Sequence, residues 1–173
     1  MSEKYTITIK KLTDETLLRR ACEMTMHGKT SNVSLDAMYM AEHSPIRTQI
    51  YWLEMPNIPS FVSVHFVRHK IGVEHFVLSN RDDRGGGKAG EVTRLSPVNH
   101  GMLINAQALI NMARKRLCGK AHIETQRVML SILNAMRETD PALARCLVPD
   151  CLYRHRCNEL SSCGRSALYF HSR

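Results

Sequence analysis

A chain of 173 residues has room for one domain around one core. Its hydrophobic content of 43% and charged content of 23% exclude a disordered polymer, and no apolar run approaches the roughly 20 residues of a membrane span. A net charge of +8 favours phosphate-bearing partners such as nucleotides, anionic cofactors or nucleic acid, while an aromatic content of only 6% argues against a single-strand nucleic-acid binder.

The N-terminal stretch MSEKYTITIKKLTDE has no apolar signal core, so the expectation is a cytoplasmic protein. In a reducing compartment the six Cys are thiols or metal ligands rather than disulfides. Tyr5, Ile7 and Ile9 alternate with polar residues and predict a strand. TDETLLRRACEM has an acidic first turn and apolar Leu17, Leu18 and Ala21, which predicts a helix. SLDAMYMAEH predicts a second, short helix, and SPIRTQIYWLEM reads as extended. Asn57 and Pro59 mark a helix start before Phe61, Val62, Val64, Phe66 and Val67, although the β-branched density also suits a strand.

Residues 71–81 read as extended. Four Gly between 85 and 90 then predict a surface loop, without the spacing or Lys-Ser/Thr ending of a phosphate-binding P-loop. From Leu103 to Met136 the apolar residues recur at helical spacing, interrupted at Cys118-Gly119, which predicts two helices. Asp140-Pro141 caps another short helix. The chain divides into residues 1–140 and a Cys-rich tail, 141–173, packed on the same domain.

The chemistry concentrates in FVRHKIGVEHFVLSNRDDR, residues 66–84. Arg68, His69 and Lys70 are consecutive, so along a helix they point three ways, but at a helix end they can converge on a phosphate or pyrophosphate. Ser79 and Arg81 are two apart, hence on one side of a strand, and a hydroxyl beside a guanidinium suits a phosphate or a pyrimidine carbonyl. The competing reading is a surface salt-bridged to Glu74, Asp82 and Asp83.

These residues resemble the signature of the flavin-dependent thymidylate synthases, ThyX: Arg-His-Arg, seven residues, Ser, one residue, Arg. Here Arg68-His69-Lys70 is followed by eight residues, then Ser79, Asn80 and Arg81. A second segment is similar to the long helix of that family, with Asn105, Ala106, Leu109, Asn111, Arg116, Ala121 and Glu124 in its places. A third, HSPIR, has Ile46, Arg47 and Thr48 where many members carry Phe-Glu-His after Ser-Pro. The resemblance runs from about residue 40 to 137.

It implies an α+β, ThyX-like fold, with a mixed sheet packed with long helices and active sites at subunit interfaces of a homotetramer. It implies methylation of dUMP to dTMP, with methylenetetrahydrofolate giving the carbon, NADPH the reducing power and FAD carrying hydride. Alternatives are a related hydroxymethylase, or a non-catalytic module binding nucleotide or nucleic acid. Carried over by position, Arg68, His69 and Lys70 line the FAD site, with Asn111 beside the flavin and Lys120 where some members have a flavin-contacting His. Ser79 and Arg81 hold dUMP, Arg116 binds the uracil edge with Gln126 nearby, and Arg94 meets the nucleotide phosphate. Ser79 and Arg116 are the catalytic candidates, Arg116 by stabilising charge on the uracil. Ser79 is not expected to be a nucleophile, since the sequence places no general base beside it.

The tail, CLVPDCLYRHRCNELSSCGR, spaces Cys146, Cys151, Cys157 and Cys163 five, six and six apart. It lacks paired C-x-x-C knuckles. The candidate zinc ligands are Cys151, Cys157 and Cys163, with Cys146 or His155 as a fourth. An iron–sulfur cluster or plain reduced thiols are the alternatives. Such a Cys-rich end resembles that of divergent phage-type relatives, where it serves structure rather than the catalytic core.

Overall fold

A computed structural model describes residues 5–27, 32–78 and 91–165. Ser79, Arg81 and the Gly-rich stretch 85–90 lie outside the described residues. Alternation in two strands organises the core. β1 spans Thr8–Lys11, β2 Ile50–Pro59, β3 Val73–Val77 and β4 Pro97–Asn105. β2 buries Tyr51, Leu53, Met55 and Ile58, while β4 buries Val98, His100, Met102 and Ile104, as a period of two requires when one face meets a core. The sheet order is β1-β2-β4-β3. The class is α+β, as expected, but the sheet expected to be mixed is antiparallel at every pairing.

The helices are α1 (Glu15–Thr25), α2 (Leu35–Met40), α3 (Ser60–Val67), α4 (Ala106–Arg116), α5 (Ile123–Thr139), α6 (Pro141–Cys146) and α7 (Asp150–Arg154). Side chains set their starts. Asp14, Ser34, Asn105 and Asp140 each accept a hydrogen bond from a first-turn backbone N–H. α3, α4 and α5 pack on the sheet and one another, led by Phe66, Leu109, Met112, Met129 and Ile132, all fully buried.

Two expectations are corrected. Ser44–Thr48 is a 3₁₀ turn with Pro45 in its first turn, and the extended backbone begins only at Ile50. Leu103 and Ile104 are not helical. They end β4 opposite Trp52 and Tyr51, because Met102 and Ile104 fit the strand alternation and the Asn105 cap starts α4 after them. The break near Cys118-Gly119 is present, between Arg116 and Ile123.

Two backbone features aim the segment that matters most. The β2–β4 register shifts between Met55 and Ile58, where Asn57 takes a left-handed φ of 55°, and this irregularity delivers the chain into α3. After α3, Gly72 has φ 75°, and a Cβ there would lie 2.4 Å from Asn105 Nδ2. Only glycine fits, and the turn it permits swings Arg68–Lys70 past the start of α4.

Asp140 ties distant parts of the chain together. Its carboxylate is buried and accepts from Lys11 Nζ at 2.7 Å, Tyr51 Oη at 2.7 Å and Tyr39 Oη at 3.1 Å, while the Leu143 N–H donates to it at 3.1 Å. Burial alone would raise its pKa. These donors prevail and hold it below the usual carboxylate value. Leu143, Ala144 and Leu147 then bury α6 into the same core as α2 and α5.

Candidate functional site

The last turn of α3 and the end of α4 meet. Arg116, the final residue of α4, donates from Nε to His69 Nε2 at 3.0 Å and from Nη2 to the His65 carbonyl at 2.6 Å. Because His69 accepts at Nε2, it carries its proton on Nδ1 and is neutral. Burial, then the neighbouring Arg116 and His75, push its pKa down to about 4. Arg116 therefore has its plane fixed by two acceptors, and three of its five N–H donors remain for a ligand.

Other cations crowd the same place. Arg68 caps the C-terminus of α3, where positive charge suits the helix dipole. Arg94 lies over the Phe61 ring, 5.2 Å from its centroid, and His122 packs edge-to-face on Phe61 with ring centroids 4.7 Å apart. His65 bonds Thr125 Oγ1 at 2.8 Å. Its pKa is lowered by burial first, then by Arg116, Arg68, His122 and Arg94. Burial and Arg68 also lower the pKa of Arg116. Among the described residues, no carboxylate forms an ion pair with Arg68, Arg94 or Arg116. Arg116 is part-buried, Arg68 and Arg94 are exposed, and guanidinium groups placed this way without a carboxylate partner among the described residues suit an anion.

Behind them runs a histidine chain absent from the sequence expectations. Ser63 Oγ and His100 Nδ1 are 3.0 Å apart, His100 Nε2 and His75 Nδ1 2.9 Å, and His75 Nε2 and the His69 carbonyl 2.8 Å. With both rings neutral, one proton order satisfies every link. Ser63 donates to His100, His100 to His75, and His75 to the carbonyl. Burial, then His75, push the His100 pKa down to about 4. The chain fixes the backbone of His69, and through it the ring that orients Arg116. The signal was in the text: His75 shares strand parity with Val73, and His100 with Val98 and Met102.

The expected residues divide. Arg68, His69 and Arg116 come together at the end of α3, and Arg94 lies at its start, over Phe61. Lys70 follows them, exposed, and without an ion pair among the described residues. Gln126 is buried, donating to the Ala121 carbonyl at 2.6 Å and accepting from Arg165 at 3.4 Å. Lys120 is exposed on the α4–α5 connection. Asn111 stands apart. α4 is unbroken between Asn111 and Arg116, so five residues of helix put them about 140° apart. Asn111 Oδ1 instead accepts from Arg114 at 3.3 Å, on the face that pairs Arg114 with Glu42.

In the tail, Cys151, Cys157 and Cys163 are together, but neither expected fourth ligand joins them. Cys146 is buried elsewhere, 3.6 Å from Met40 Sδ, and burial pushes its pKa up to about 11. His155 is exposed just past α7, at φ 55°. Among the described residues, no three His, Cys, Asp or Glu side chains already stand in a metal-coordinating arrangement. No helix among them is long and apolar enough to cross a membrane.

No family model matches the chain, and no curated protein matches its sequence. Solved structures do match in shape. Thymidylate synthase X (ThyX) from Helicobacter pylori, determined with FAD and dUMP, superposes with a TM-score of 0.62 at 14% identity, over 82% of this chain and 99% of that one. The UMP/dUMP methylase PolB from Streptomyces cacaoi, bound with 5-Br dUMP, superposes at 0.59 and 13% identity, over 83% and 95%. The chain has a ThyX-like fold.

Proposed function

We propose that this protein modifies the pyrimidine ring of dUMP, as a flavin-dependent thymidylate synthase that uses methylenetetrahydrofolate and NADPH. The observation that carries this reading is the group of Arg68, Arg94 and Arg116 without carboxylate partners among the described residues, on a fold shared with structures determined with dUMP and 5-Br dUMP. In this reading Arg94 neutralises phosphate charge of the nucleotide, together with Ser79 and Arg81. Arg116 addresses the uracil edge. Its fork is pre-aimed by His69 and His65, so it meets negative charge developing on the ring without reorganising. Thr125 ties α5 to α3 through its bond to His65, and Gln126 is the expected second residue near that edge.

Arg68 and Lys70 fit the pyrophosphate of FAD, being cationic, exposed and without an ion pair among the described residues. When bound, that cofactor supplies hydride transfer. The flavin-ring side is not assembled in a single chain, because Asn111 faces away from Arg116. A homo-oligomer, a tetramer by the resemblance, is the arrangement in which a second copy brings that face to the site.

The test is direct. Purified protein supplied with FAD should turn yellow and retain flavin through gel filtration. With dUMP, methylenetetrahydrofolate and NADPH it should release dTMP, and the product mass separates methyl from hydroxymethyl transfer. A protein that takes up neither FAD nor dUMP ends the proposal.

A further inference from the structure

Four thiols stand around one small cavity that the nucleotide reading does not use. Cys118 comes from the end of α4, Cys151 from the first turn of α7, and Cys157 and Cys163 from the segment after it. The cavity holds about 30 Å³. All four cysteines are free. The backbone beside Cys118 is cleared for this approach: a Cβ on Gly119 would sit 3.0 Å from Cys163 Sγ.

We propose that Cys118, Cys151, Cys157 and Cys163 form a tetrathiolate site for a single zinc ion. The thiols close on the ion by side-chain rotation, since they do not stand at coordinating positions beforehand. The all-sulfur donor set suits zinc, which is held tetrahedrally at about 2.3 Å per Zn–S bond. The cavity has room for at least one water-sized sphere, and so for one ion. Binding exchanges four S–H bonds for four Zn–S bonds and releases the protons to solvent.

The tail supplies a second, independent reason. From residue 153 to 165 every side chain except that of Cys157 is exposed, so this segment has no core of its own. Among the described residues, its links to α4 and α5 are peripheral. Lys115 meets Glu159 at 3.9 Å, Arg114 covers the Tyr153 ring at 3.5 Å, and Arg165 reaches Gln126 at 3.4 Å. Segments too small to bury a core are held by metals or disulfides. The zinc would pin this one two residues beyond Arg116. It stands whether or not the nucleotide reading does.

The experiment is metal analysis of the full chain purified under reducing conditions without chelator. It should contain about one zinc per chain, and replacement by Co²⁺ should give the intense thiolate charge-transfer and tetrahedral d–d bands. Chelator should expose four additional thiols to a thiol reagent. Cys118→Ser should lose the metal, while Cys146→Ser keeps it. If Cys118→Ser does not fold, the wild-type cobalt spectrum and thiol count still decide. Wild type that takes up no zinc or cobalt, Cys118→Ser that binds as wild type does, or a disulfide among these four cysteines each overturns the site.

Discussion

Two charged regions of this molecule have opposite construction. Around Asp140 one buried anion has a complete set of donors, from Lys11, Tyr39, Tyr51 and the Leu143 amide. Around Arg116 several cations converge with no carboxylate among the described residues, and the acceptors present are a neutral imidazole and a carbonyl. The first is closed and joins strands to helices. The second keeps donors available and has its charge unmatched, so it is held by surrounding structure for something that arrives. Buried charge alone does not separate a structural site from a functional one; the completeness of its partners does.

Exchanging the two roles by mutation is the sharpest way to break that comparison. Arg116→Ala should cut turnover of dUMP by about 10²–10³-fold, the usual effect of removing one pre-aimed donor. Arg116→Lys should recover charge but not the two-pronged geometry, and stay well below wild type. Melting should change far less than turnover in both. Asp140→Ala should do the reverse, lowering stability by about 2–4 kcal/mol by removing the acceptor shared by Lys11 and two buried tyrosine hydroxyls, while nucleotide affinity at low temperature stays near wild type. Denaturant melts and dUMP titrations on the same preparations check both. Equal losses of stability from the two alanines would dissolve the distinction.

The regions also titrate in separate windows. His69 and His100 have folded values near 4, below the usual 6.5, so the unfolded chain binds their protons first as the pH falls. Their contribution is fully present above about 6.5 and is lost progressively down to about 4. Asp140 is held below its usual 3.8, so its contribution is present above that value and is lost only in stronger acid. Melting temperature should therefore fall between pH 6.5 and 4 before the Asp140 window opens. Inorganic phosphate, by offsetting the charge of Arg116, should lift the His69 value and reduce the fall. A flat profile between 6.5 and 4 would mean the two rings are not held neutral.

Much of the fold was readable because its signals are local. The alternation of Tyr5, Ile7 and Ile9, the acidic first turn of α1, the Asp140-Pro141 cap and the break after Arg116 each sit within a few residues. β4 was missed because Leu103, Ala106, Leu109 and Ile110 extend a helical period backward across a real boundary, and the Asn105 cap was read only as a family position. The cation cluster was legible in part. Arg68, His69 and Arg116 came from motif positions, but nothing local says that Arg116 bonds His69 across 47 residues. The histidine chain and Cys118 were invisible for the same reason: their meaning lies in partners supplied by other elements, which only the folded chain brings together.

The smallest effect expected is the most informative about assembly. Asn111 lies on the exposed face of α4, where its side chain accepts from Arg114 and Gln107. As a surface residue it should tolerate Asn111→Ala with a stability change of about 0.5 kcal/mol or less. Within one chain it also faces away from Arg116, so dUMP affinity should not move. If a second copy places this face at the flavin, FAD retention alone should weaken, and only under conditions where the wild-type protein is oligomeric by light scattering. Loss of FAD from a monomer would instead mean that α4 presents both faces to one site, which the 140° separation forbids.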